Sequence, residues 1–212
     1  MITLLLMPAV NAWNWDTHQN IIEYVYLNLP PEKQQQLNLT KLREGAVMPD
    51  RDFKDHKLHH YPKSLEEAKR WLNNDTDLSL SLGIASHYIT DSFAAPHNVF
   101  GEKYSQHAQF ENQVRYYYPN VDCEDYGYSI DDLGISTENS EDWDKWLKTK
   151  NNKIPQKEVD EAEKFLFSII LKKLDTKCDN MSTNYIEIPY ITKNKLIIIS
   201  LVLIIGLYFL KN

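Results

Sequence analysis

The sequence predicts an all-α fold, a single compact helical domain, and three observations carry that expectation. Between the ends of the chain, apolar residues recur at spacings of three and four, with few alternating runs of strand length. Proline, glycine and capping residues cut this pattern into segments of helix length. At 212 residues the chain can bury one good core and is too short for two once its apolar ends are set aside.

Taken in order, Asp16 or Thr17 can cap a first helix that carries Ile21, Ile22, Tyr24, Val25 and Leu27 inward and stops at Pro30-Pro31. Pro31 and Glu32 open a second segment that runs to about Glu44 and is released at Gly45. Residues 46–63 hold no sustained period and read as an ordered loop. Ser64, with Glu67 three residues later, makes a capping box for a short helix through Trp71. A helix over about 77–93 is ended by Pro96, and another covers about 103–118. Residues 119–153 are acidic, aromatic and irregular. A long amphipathic helix over about 156–174, with Val159, Ala162, Phe165, Leu166 and Ile169 facing inward, closes the domain.

Both ends carry membrane signals. Residues 1–12 are apolar and finish in Val-Asn-Ala, which fits a signal peptide cleaved after Ala12. Residues 195–211 include an uncharged run flanked by lysines, a little shorter than the ~20 residues that usually cross a bilayer, and lysine snorkelling makes up the difference. The expected organisation is a signal peptide over 1–12, a folded helical domain over 13–176, a linker over 177–194 and a transmembrane anchor over 195–211. Such a chain is exported and held at the cell surface. Cys123 and Cys178 sit in no metal-ligand spacing, so they form one disulfide or stay as two thiols. The formal net charge of −7 and the lack of a basic stripe exclude a general binder of duplex nucleic acid.

The chemistry lies in the histidines, none of which falls beyond residue 107. His87 and Asp91, four apart, stack on one helix face, and His107 and Glu111 repeat the spacing on the next helix. His97 follows the Pro96 break between them. A lone His-x-x-x-Asp pair is a common surface contact. Two such pairs joined by Ala-Ala-Pro-His, the first set among Leu82, Ile84, Ala85, Tyr88, Ile89 and Phe93, point instead to a metal, because an unpaired charge there is costly.

The string His87-Tyr-Ile-Thr-Asp91-Ser-Phe-Ala-Ala-Pro-His97, followed by His107-Ala-Gln-Phe-Glu111, resembles the metal-binding core of the zinc-dependent phospholipase C family. That family shares its fold with single-strand-specific zinc nucleases. The resemblance implies a processed N-terminal tryptophan that binds zinc through its amine and carbonyl. Trp13, exposed by cleavage after Ala12, fills that place ahead of Trp15, and His18 follows in the first helix. It implies two further ligands between the early helices. Gly-Ala-Val-Met-Pro-Asp50 and Leu-His59-His60-Tyr61 are similar to those segments, with Asp52 and Asp55 as alternatives to Asp50, and His60 and His56 as alternatives to His59.

The implied cofactor is Zn2+, three ions per chain. Asp50, His59, His87 and Asp91 hold one, His97, His107 and Glu111 a second, and Trp13, His18 and a bridging Asp91 a third. Open coordination positions distinguish catalytic zinc from structural zinc. Clustered dications lower the pKa of bound water toward ~7 and neutralise phosphoryl charge, and Asp50 is the catalytic residue expected to accept the proton. The expected function is hydrolysis of a phospholipid headgroup or similar phosphodiester by a monomer. The alternatives are a single-strand nuclease using Tyr116 to Tyr118, Tyr126 and Tyr128 as a base slot, and a non-catalytic surface protein stabilised by zinc. A di-iron bundle is disfavoured because its Glu-x-x-His spacing is absent.

Overall fold

A computed structural model describes residues 14–119, 121–136 and 140–178. The signal peptide, Trp13 and the anchor over 195–211 fall outside the described residues, as does nearly all of the linker. Within them every regular element is helical, and no helix is long and apolar enough to cross a membrane.

The first helix, α1 (Trp15–Leu27), begins one turn earlier than its expected caps. Asn14 Oδ1 accepts from the Asp16 N–H, which leaves Thr17 free to be buried. Ile21, Ile22 and Val25 enter the core, whereas Leu27 is exposed and departs from the expected inner face. The expected second segment is two helices, α2 (Pro31–Gln34) and α3 (Leu39–Gly45). Asn38 breaks it by capping Lys41 with its side chain while its own N–H donates to Ser79 Oγ.

The expected loop over 46–63 holds a π-turn at Pro49–Phe53 and a 3-10 turn at His56–Leu58. Next comes α4 (Lys63–Leu72), in which the expected capping box does not form. Ser64 lies inside the helix, fully buried, and accepts from Ser92 Oγ, while Glu67 pairs with Arg70.

The central helix, α5 (Leu78–Asp91), starts on an Asp77 cap and is buried along almost its whole length. It packs against α3, α4, α1 and the last helix. Gly45 of α3 and Gly83 of α5 meet at the crossing. A Cβ on Gly83 would collide with the Leu42 carbonyl, and one on Gly45 with the Leu80 carbonyl, so the two backbones touch only because neither residue has a side chain.

A 3-10 turn at Ala95–Asn98 leads to α6 (Tyr104–Asn112), shorter than expected. Residues 119–153 are not simply irregular. They contain a 3-10 turn at Ile130–Asp132, α7 (Leu133–Ser136) and α8 (Ser140–Thr149), which buries Trp143 and Trp146 against Phe110. Finally, α9 (Lys153–Lys173) carries its five expected inward residues into the core. A Cys123–Cys178 disulfide, with Cα atoms 5.7 Å apart, ties the segment after α6 to the end of α9.

Candidate metal centre

Five separate stretches of chain aim polar side chains at one buried point. From α5 come His87 and Asp91, one turn apart, with Nε2 to Oδ2 at 3.5 Å. α1 contributes His18, its Nε2 3.2 Å from Asp91 Oδ1. The π-turn and the segment after it set Asp50 and His59 against the same helix. Asp50 Oδ1 is 3.8 Å from His87 Nε2, and His59 Nδ1 is 2.6 Å from Asp91 Oδ2. The turn after Pro96 holds His97 Nε2 3.8 Å from Asp91 Oδ2 and 3.7 Å from Glu111 Oε1. On α6, His107 Nε2 lies 2.6 Å from Glu111 Oε1.

The structure therefore gathers His18, Asp50, His59, His87, Asp91, His97, His107 and Glu111, all buried. Trp13 is outside the described residues, and Trp15 is half exposed on α1. The neighbours of Asp50 and His59 point elsewhere. Asp52 pairs with Arg51 at the surface, and His60 Nδ1 donates to the His97 carbonyl at 2.6 Å.

Four of the imidazoles have one nitrogen tied down and the other turned inward. His87 Nδ1 is 2.8 Å from the Ala46 carbonyl, and His18 Nδ1 is 3.0 Å from Thr90 Oγ1. His107 Nδ1 faces Glu102, and His59 is reversed, with Nε2 3.0 Å from Asp55 Oδ1. Asp55 is itself oriented by the Tyr88 hydroxyl at 2.5 Å. Such outer partners fix the tautomer and the aim of metal-binding imidazoles. Sequence reasoning missed these partners, although Asp55 stands four residues before His59 and that spacing was a usable signal. Glu102, Thr90 and the Ala46 carbonyl carry no comparable signature.

The charges are strongly coupled. Burial alone would raise the Asp91 carboxyl, but His97, His87, His18 and His59 surround it and hold it well below the usual carboxylate range. Burial, reinforced by Asp91, pushes Asp50 up to about 8. Burial disfavours charge on His59, yet Asp91 and Asp55 outweigh it and lift the imidazole to about 10. His107 follows the same logic beside Glu111, reaching about 9. Burial keeps His97 low, and burial together with His18 keeps His87 well below its ordinary value.

Whether these residues suit a metal is decided by their unsatisfied atoms. His18 Nε2, both Asp50 oxygens, His59 Nδ1, His87 Nε2, both Asp91 oxygens and His97 Nε2 are buried and make no hydrogen bond. Native interiors rarely leave such atoms unpaired, so a concentration of them in one pocket calls for an ion. Donor triplets with ligand atoms within 4.8 Å of one another occur at His18–Asp50–His87, His59–His87–Asp91 and His97–His107–Glu111. A mixed nitrogen and oxygen set of this kind suits zinc.

A helical domain closed over buried histidine and carboxylate triplets that could hold a metal ion belongs to the metal-binding class of proteins. Its sequence places it more narrowly: residues 17–177 match the family described as zinc-dependent phospholipase C, and the chain belongs to that family. The match continues well past Glu111, the last residue of the motifs, and takes in α8 and α9. Neither the curated proteins nor the solved structures contain a match to the chain.

Proposed function

We propose that this chain is a zinc-dependent phosphodiester hydrolase that cleaves phospholipid headgroups, phospholipase C fashion, as an exported, membrane-anchored monomer. The observation that carries this reading is the convergence on one pocket of buried imidazole and carboxylate atoms that make no hydrogen bond, in a chain of this family. Asp50, His59, His87 and Asp91 would hold one ion and His97, His107 and Glu111 a second. His18 and a bridging Asp91, joined by the amine and carbonyl of Trp13, would hold a third. When bound, zinc supplies an acidified water and neutralises charge on the phosphoryl group.

The remaining steps belong to the protein. Asp50, fixed between His59 and His87, accepts the proton of the attacking water, and dications beside it would reverse the upward push on its pKa. Asp55, Thr90, Glu102 and the Ala46 carbonyl hold the imidazoles so that the pocket need not rearrange during reaction.

A lipid substrate is favoured over a nucleic acid by two features. Tyr117 is hydrogen-bonded to Asp160 of α9, the Tyr126 N–H to Ser168, and Tyr128 packs on Phe165, so much of the aromatic segment serves the core instead of a base slot. Phe100 and Tyr104 stand exposed on the segment joining His97 to His107, and exposed aromatics of this kind suit a lipid–water interface.

The test compares hydrolysis of a phosphatidylcholine analogue with that of single-stranded DNA by the zinc-loaded full chain. Lipid cleavage that falls by roughly two orders of magnitude or more in Asp50→Asn, assayed at saturating zinc, is the expected result. Preference for DNA would move the reading to the nuclease branch, and inertness of a fully zinc-loaded chain to both would favour a structural role for the metals.

A further inference from the structure

We propose that His56 is a further metal ligand, its Nδ1 completing with Asp50 and His59 a donor triplet at the solvent-facing edge of the pocket. The proposal rests on the zinc reading and makes His56 a ligand alongside His59, where the motif resemblance offers it only as an alternative to His59. Three independent features point to it. First, His56 Nδ1 is buried and makes no hydrogen bond, the same signature as the nitrogens of His18, His59, His87 and His97, although 38% of its side chain is exposed. Its Nδ1 is turned inward toward the Asp50 carboxylate, too far from it for a hydrogen bond.

Second, the spacing suits a shared ion. His56 Nδ1 is 3.6 Å and His59 Nδ1 3.7 Å from the same Asp50 oxygen. Ligands ~2.0–2.1 Å from a tetrahedral zinc stand about 3.3 Å apart, so each imidazole is within a few tenths of an ångström of the ligand spacing to Asp50. The three ligand atoms lie within 4.8 Å of one another. Third, the 3-10 turn His56–Leu58 runs directly into His59, and residues three apart in such a turn eclipse, which puts both imidazoles on one side. The groups facing His56 are Asp50, Asp55, His59 and Asp91, donors or carboxylates throughout.

The consequence is a more crowded ion at the edge of the pocket, with one ligand that solvent reaches directly. The test uses the full chain in detergent, stripped of metal and titrated with Co2+ against a competing chelator. For His56→Ala one class of bound ion is expected to weaken by roughly tenfold or more, with the others unchanged. For His56→Cys a thiolate-to-cobalt charge-transfer band is expected in the near ultraviolet. If the wild-type chain binds cobalt but His56→Ala keeps every affinity within about twofold and His56→Cys shows no such band, the assignment of His56 is overturned while the zinc reading stands. If the wild-type chain takes up no metal, both fall together.

Discussion

Four histidines of the centre, His18, His59, His87 and His107, carry a double duty, and the atoms divide it. One nitrogen belongs to the fold and the other to the pocket, as with His59 between Asp55 and Asp91. The same carboxylates that aim the imidazoles also hold protons on them while metal is absent. Burial opposes charge on His59 and His107, but Asp91, Asp55 and Glu111 win and keep them protonated to about 10 and about 9. Zinc takes only the neutral ring, and Asp50, pushed up to about 8, must also give up its proton to act as a ligand, so loading at pH 7 expels roughly three protons per chain from His59, His107 and Asp50, and affinity climbs with pH. The metal-free chain behaves in the opposite sense. A raised imidazole pKa favours the folded state fully below its unfolded value of about 6.5, and that contribution drains away as pH rises through 9 to 10. Calorimetry in two buffers of different ionisation enthalpy counts the protons; zinc uptake without net release would contradict the geometry. At this scale the sequence was informative where a helix set the spacing, as for His87 with Asp91 and His107 with Glu111. The choice of His59 over His60 needed the structure, because adjacent residues in a loop differ only in which way each ring turns.

At the scale of elements, α5 is the piece on which the site depends. Its Gly83 lets α3 approach until the Ala46 carbonyl, just past the end of α3, meets His87 Nδ1 at 2.8 Å. Gly83→Ala gains up to ~1 kcal/mol of helix propensity, but the new methyl meets backbone that cannot rotate away, and overpacking of that kind costs typically ~1–3 kcal/mol. The expected net is a loss of up to about 2 kcal/mol in urea unfolding of the zinc-loaded chain, with weaker metal binding as His87 is displaced. An unchanged midpoint and unchanged affinity would show the crossing to be slack. The elements were legible wherever periodicity and a cap agreed, as at Asp77 for α5 and along the inner face of α9. They were misread where side chains took tertiary partners. Asn38 gave its N–H to Ser79 and split a helix, and Ser64 left its capping role to meet Ser92. In 119–153, the acidic composition concealed Trp143, Trp146 and Leu147, a three-and-four pattern too brief to stand out.

Over the whole molecule, the donors among the described residues, His18 to Glu111, all precede the loop that the disulfide closes. Cys123 and Cys178, 55 residues apart, pin the end of α9 to the segment after α6, and α9 in turn packs on α5 and α1. The sequence left the pairing open, since two cysteines without motif spacing carry no geometry. The bridge also supports the proposed export, because such bonds persist in oxidising compartments. Its removal should separate stability from metal binding. In the chain-entropy picture, freeing a loop of this length costs about 4 kcal/mol, which for a domain of this size is a fall of roughly 10 °C in Tm. The folded state keeps every candidate ligand in place, so Cys123→Ser should bind zinc with unchanged stoichiometry at 25 °C while unfolding earlier on heating. Thermal melts read alongside metal analysis test both halves. A variant that loses zinc in step with its stability would mean that α9 must be tethered for α5 to present His87 and Asp91, and the centre would then depend on the whole domain.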